Sequence, residues 1–224
     1  MTYSGLPRAT FDFLADLEQN NDRGWFEDHR ADYEAHWLSA GFDLIAALAP
    51  LCDRMEPRLL AVPKLNQSLR RIHRDTRFSR DKTPYQPSLH LILSTGSAFN
   101  KVPGMHIVLT PEGLGYGAGH YGLDPAALDR MRARMCDAED RAALLSALDR
   151  AAEAGSTLDA PDLARTPKGY ETEPGWDHLL RRKSLIARTQ ENLAPPDWLF
   201  TPEAPERLAA IARAHLPLLA WLCA

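Results

Sequence analysis

The sequence predicts an α+β fold, with a central, mostly antiparallel sheet of about four to six strands packed by N- and C-terminal helices. Two observations carry this. Apolar residues recur at helical spacing at both ends of the chain, whereas in the middle third they alternate with period two. The alternating segments also follow one another through turns rather than through helices, as antiparallel strands do. With 224 residues, 45% of them hydrophobic, the chain is long enough to bury a core as one domain spanning 1–224.

From Ala9 to Glu18, Phe11, Leu14 and Leu17 line one face of a helix with Thr10 as its N-cap, and Asn20-Asn21-Asp22 ends it. A second helix follows, on which Phe26, His29, Tyr33 and Trp37 form a core seam, and it continues through FDLIAALAPLCDRM with an interruption near Gly41 or Pro50. SLRRIHRD reads as a strand feeding the sheet. In SLHLILS, Leu89, Leu91 and Leu93 share one face while His90, Ile92 and Ser94 take the other. MHIVLTP repeats the pattern, with Met105, Ile107 and Leu109 opposed to His106, Val108 and Thr110, and TGSAFNKVPG can close the two as an antiparallel pair.

A third strand, LGYGAGHYG, alternates glycine with Leu114, Tyr116, Ala118 and His120. A turn over Pro111-Glu112-Gly113 would set Thr110 opposite Leu114, Val108 opposite Tyr116 and His106 opposite Ala118. The glycines would then lie on the apolar face, where a helix could approach closely. The phosphate-loop spacings GxGxxG and GxxxxGK are missing here. DPAALDRMRARM starts a helix with an Asp124 cap and Pro125 at its first position, and EDRAALLSALDRAAEAG makes another that ends at Gly155. EPGWDHLLRRKS reads as a further helix start, SLIART as a last strand, and PEAPERLAAIARAHLPLLAWLCA as a closing helix.

A net charge of −4 argues against a general nucleic-acid coat, leaving only a local nucleic-acid contact open. There is no run of about 18 apolar residues, and MTYSGLPRATFDF lacks the regions of a signal peptide, so a cytoplasmic protein without membrane contact is expected. Cys52, Cys136 and Cys223 stand in no CxxC spacing, which points to small buried hydrophobes rather than disulfides or a thiolate zinc site.

Against this background RRIHRDTRFSRDKTPY inverts the local sign. Positions 70–82 carry six Lys/Arg against two Asp, a balance of +4. Thr83-Pro84 and Gln86-Pro87 impose extended backbone, so the cations straddle a strand end and a loop. Arginine grips a carboxylate or phosphate bidentately, and several arginines together fit an anion with more than one oxygen edge. In a strand Arg70, Ile72 and Arg74 project to one side, and Arg74, Arg77 and Lys82 are the cations expected to converge. An Arg-Asp network that ties the loop to the sheet, through Asp75 and Asp81, is the competing reading.

The polar sheet face bears His90, Ser94, His106, Thr110, Tyr116 and His120, and His90 and His106 can meet across adjacent strands. No carboxylate joins them there, so no metal site is expected. Ser79 lacks the GxSxG elbow, so no complete catalytic signature is present.

The run Arg71, Arg74, Asp75, Arg77, Phe78, Ser79, Asp81, Lys82, Pro84 and Tyr85 resembles the hallmark of the family known as domain of unknown function 2461. FLADLEQNNDRGWFEDHRADYE resembles that family's opening helices, and PKGYETEPGWDHLLRRKSL its C-terminal segment. His73 departs from the Asn or Tyr expected there, so the resemblance assigns it no role. One α+β domain is implied, with no established reaction, and function rests on the site.

The expectation is an anion-binding protein, with or without catalysis, taking a phosphate- or carboxylate-bearing small molecule or a nucleotide, and needing no cofactor. Arg70, Arg74, Arg77 and Lys82 would hold the anion, Asp75 would orient an arginine and Ser79 would donate a hydrogen bond. Tyr85, His90 or His106 would supply proton transfer. The rivals are a non-enzymatic module docking an acidic protein or nucleic-acid end, and a purely structural Arg/Asp network.

Overall fold

The alternating middle third forms strands because its apolar residues fall on every second position, and those strands assemble into one antiparallel sheet. A computed structural model describes residues 3–99 and 101–224. The strands are β1 (Leu89–Ser94), β2 (Gly104–Thr110), β3 (Gly113–His120), β4 (Thr157–Leu158) and β5 (Leu185–Arg188), in the order β1-β2-β3-β5-β4. Every pairing is antiparallel. Asn100, within the connection from β1 to β2, lies outside the described residues.

Around the sheet lie α1 (Ala9–Gln19), α2 (Arg23–Asp28) and α3 (Arg30–Asp32), which runs through a π-helical stretch, Tyr33–Ser39, into α4 (Ala40–Cys52). After β3 come α5 (Pro125–Cys136), α6 (Ala138–Glu153), the single turn α7 (Asp177–Leu180) and α8 (Ala204–Cys223). Asp124 caps α5 by accepting from the Ala127 N–H at 2.8 Å, with Pro125 at the first turn. Thr10 is not the cap of α1. That helix begins at Ala9, and the Thr10 hydroxyl donates instead to the His36 carbonyl at 2.7 Å, tying α1 to the π-helical stretch. The interruption expected at Gly41 or Pro50 is absent too, because the irregularity falls earlier, at Tyr33–Ser39.

Phe26 and Trp37 are buried, and Tyr33 lies between them with ring centroids 5.1 and 5.3 Å away, so these three form core, whereas half-buried His29 stacks on Trp25 instead. The 23-residue run Arg30–Cys52 is long and apolar enough to cross a membrane, yet Trp37, Leu44, Ile45 and Leu48 are all buried in the core. Leu89, Leu91, Leu93, Met105, Ile107, Leu109, Leu114 and Ala118 join residues of α1, α4 and α8 in one cluster. Leu185 and Ala187 of β5 join α5, α6 and the end of α8 in another. The helices thus occupy one face of the sheet and leave the other open.

The hairpin register differs from expectation by one residue. Thr110 pairs with Gly113, Val108 with Gly115, His106 with Gly117 and Gly104 with Gly119. A two-residue turn, Pro111-Glu112, closes the hairpin, and a one-residue shift moves every β3 side chain to the opposite face. Tyr116 and His120 therefore leave the face of His106, and the glycine row joins it. Another backbone does approach the glycines closely, but it is β5 rather than a helix. A Cβ at Gly117 would lie 2.5 Å from the Ala187 carbonyl oxygen, and one at Gly115 would lie 2.6 Å from the Asn192 side chain. Lacking side chains, the glycines let β5 and the segment after it curl over the open face and raise one wall of a concavity.

The opposite wall is the basic stretch, which is not a regular strand. Leu69 and Ile72 are both buried while Arg70 and Arg71 between them are exposed, so alternation fails. Leu69 bridges to Leu91 and the Arg70 N–H donates to the His90 carbonyl at 3.0 Å, docking the segment on the edge of β1. Further on, the Arg74 N–H donates to the Pro84 carbonyl and the Gln86 N–H to the Ile72 carbonyl, pinching 74–84 into a closed loop.

Candidate functional site

Local acids engage most of the positive charge in that loop. Arg77 makes a bidentate pair with Asp75, at 2.9 and 2.7 Å. Arg74 bonds Asp81 and the Thr83 hydroxyl, and Lys82 donates to the Thr76 carbonyl at 2.9 Å. Hydrogen bonds from Arg77 hold the Asp75 carboxyl at a pKa of about 2. The Thr83 N–H, followed by Arg74, holds Asp81 at about 2 as well. Arg74 and Lys82 line a broad open groove with Asn21, Asp22 and Glu27, whereas Arg77 and Ser79 line neither that groove nor the cavities below.

Tyr85 is buried, its ring stacked on Phe26 with centroids 4.1 Å apart. The Asn21 side chain brackets its backbone, donating to the Tyr85 carbonyl at 2.9 Å and accepting its N–H at 3.0 Å. The loop after α1 is thereby fastened to the end of the basic motif, and burial raises the Tyr85 pKa.

On the open face the structure brings together Arg70, His90 and His106. His90 Nε2 and His106 Nδ1 lie 2.8 Å apart, joined by a hydrogen bond across β1 and β2. Burial, then His106 and Arg70, push the His90 pKa well below the ordinary imidazole value. Burial and Arg70 bring His106 down to about 4. Both rings are therefore neutral at pH 7. Whichever nitrogen carries the shared proton, the outer nitrogens, His90 Nδ1 and His106 Nε2, present one N–H and one lone pair. The Arg70 guanidinium has no carboxylate partner among the described residues.

These groups line a cavity of about 470 Å³ together with Val102, Val108, Tyr121, Ile186 and Arg188. A second cavity of about 470 Å³, bordered by Arg70, Arg71, Arg74, Asp75 and His90, adjoins it. Sequence reasoning missed Tyr121, Arg188, Thr189 and Asn192, which reach the site from distant parts of the chain without any motif of their own. His120 is not part of the histidine pair, and its Nε2 lies 3.1 Å from the Lys101 carbonyl instead. Among the described residues no three His, Cys, Asp or Glu side chains gather as a metal site.

Two of the segments that resembled one family in the sequence, the opening helices and the basic motif, are thus joined physically through Asn21 and Tyr85, which line the open groove. No curated protein and no solved structure matches the chain. The conserved hypothetical protein family DUF2461 matches residues 9–221, and the chain belongs to that family.

Proposed function

We propose that the protein binds a small anionic molecule, carrying a carboxylate or a phosphate, on the open sheet face beside Arg70. One observation carries this reading: a guanidinium without a carboxylate partner among the described residues stands beside two imidazoles held neutral, in a cavity of about 470 Å³. A bound anion would pair with Arg70 and accept the outward imidazole N–H. The anion-holding role thus moves from Arg74, Arg77 and Lys82, whose bonds stay within their loop, to Arg70. The loop serves as the frame that holds Arg70 in place. Proton transfer to or from such a ligand would run through His90 and His106, which offer a donor and an acceptor at once. The unpaired cysteines Cys52, Cys136 and Cys223 fit a reducing, cytoplasmic setting.

A thermal-shift screen with inorganic phosphate, AMP and benzoate tests the reading. At least one anion should stabilise the wild type and Arg77→Gln, and this gain should vanish in Arg70→Gln. An equal gain in Arg70→Gln would place the anion elsewhere.

A second reading draws on Phe78, 95% exposed near the middle of the basic loop, which suits docking of an acidic protein or a nucleic-acid end. Binding of that kind would weaken steeply with salt and depend on Phe78 rather than Arg70.

A further inference from the structure

We infer that the ligand is an organic acid with one anionic head and an apolar, ring-bearing body, the head at Arg70 and the histidine pair and the body reaching along β2 to Tyr121. This rests on the anion-binding reading and sharpens it by accounting for the polar groups of the cavity.

Most polar side chains of the wall are already engaged. The Asn192 amide donates to the Thr110 hydroxyl at 2.7 Å, and the Thr189 hydroxyl accepts the Tyr116 N–H at 3.2 Å. Arg188 bonds both carboxylate oxygens of Asp159, each at 3.0 Å. Among the described residues of the wall, the groups left without any side-chain hydrogen bond to a neighbour are the Arg70 guanidinium and the outer nitrogens of His90 and His106, all at one end, and the Tyr121 hydroxyl at the mouth.

Past His106, toward the mouth, the lining is apolar: Val102, Ile186, the backbone of Gly119 and the ring of Tyr121. Tyr121 is 76% exposed, a large ring left at the mouth of the cavity. From Gly117, which pairs with His106, to Tyr121 the chain covers roughly 13 Å if extended, so the apolar part is long enough for fused rings.

A nucleotide or sugar phosphate fits this inventory badly, because its many hydroxyls and base edges would need more partners than the few that Asn192, Thr189 and Tyr121 still offer. Inorganic phosphate would leave the apolar end wet. An aromatic acid satisfies both ends, its charge on Arg70 and its ring against Val102, Ile186 and Tyr121.

Calorimetric titration with 2-naphthoate, 2-naphthamide, inorganic phosphate and AMP tests this on the wild type, Arg70→Gln and Tyr121→Ser. Tyr121 is exposed, so its replacement leaves folding intact. Naphthoate should bind at least about tenfold more tightly than phosphate or AMP, and naphthamide should not bind. Arg70→Gln should abolish naphthoate binding and Tyr121→Ser should weaken it severalfold. If phosphate or AMP binds through Arg70 and naphthoate does not, the inference is overturned while the anion-binding reading stands. If no anion binds, both fall. Naphthoate binding that ignores Arg70→Gln or Tyr121→Ser also overturns the inference.

Discussion

Replacing Gly117 by alanine probes the contact that builds one wall of the site. The added Cβ would sit 2.5 Å from both the Ala187 carbonyl oxygen and the Arg188 Cβ. Ordinary contact begins near 3.4 Å, so β5 must yield by nearly 1 Å along a strand that pairs Arg188 with Gly117 and also with Thr157. Overpacking of this kind costs about 1–3 kcal/mol, and the reduced freedom of the unfolded chain returns about 0.4–1 kcal/mol. The net cost of about 1 kcal/mol corresponds to a fall in Tm of about 2–4 °C for a chain of this size. Gly96→Ala is the matched control, since its Cβ would meet only Val102 methyls, the nearest at 3.7 Å, and its Tm should stay within about 1 °C of wild type. Differential scanning calorimetry decides the matter. A Gly117→Ala protein that melts with the wild type would refute the claim that the glycine row admits β5.

Other outcomes follow from the charged groups. His90 and His106 are neutral in the fold with depressed pKa values, so the unfolded chain binds more protons below about pH 6.5. Stability should fall as the pH drops from there toward about 4, the His106 value, and urea midpoints should show a shallower fall in a His90→Phe/His106→Leu variant. Arg74→Ala, which frees Asp81 and Thr83, should cost about 1 kcal/mol and speed hydrogen exchange across 75–83. Arg77→Ala, which breaks only an exposed pair, should leave the urea midpoint close to that of the wild type. Buried Arg141 caps the end of α5 by donating to the carbonyls of Met135 and Cys136, both at 3.1 Å, so Arg141→Met should cost about 2–3 kcal/mol in chemical denaturation. A loss under 1 kcal/mol would show that water replaces it there.

The helices and strands were legible because their periodicities are local, and β1 and β2 fell where alternation placed them. Hairpin register was not legible, since a two- or three-residue turn at Pro111-Glu112-Gly113 reads alike and glycine has no side chain to declare a face. The basic stretch looked like a strand through its spaced arginines, but Leu69 and Ile72, three apart, are what the core takes. Meeting of His90 and His106 could be read from their places on neighbouring strands. Pairing of Arg77 with Asp75 was available in the sequence as well, being two residues apart. That Arg70 keeps no carboxylate among the described residues was not, for it depends on which segments the curled sheet brings near. Tyr121 and Arg188 were invisible for the same reason.

Arg70 and a neutral histidine pair sharing one anion are the centre of the proposed site. Long-range ¹H–¹⁵N spectra of the imidazoles, recorded at pH 7 with and without saturating 2-naphthoate, test it most directly. The free protein should show His90 and His106 as neutral tautomers, and the acid should shift both sets of nitrogen signals in the wild type but not in Arg70→Gln. Cationic imidazoles in the free protein, or identical shifts in Arg70→Gln, would contradict it.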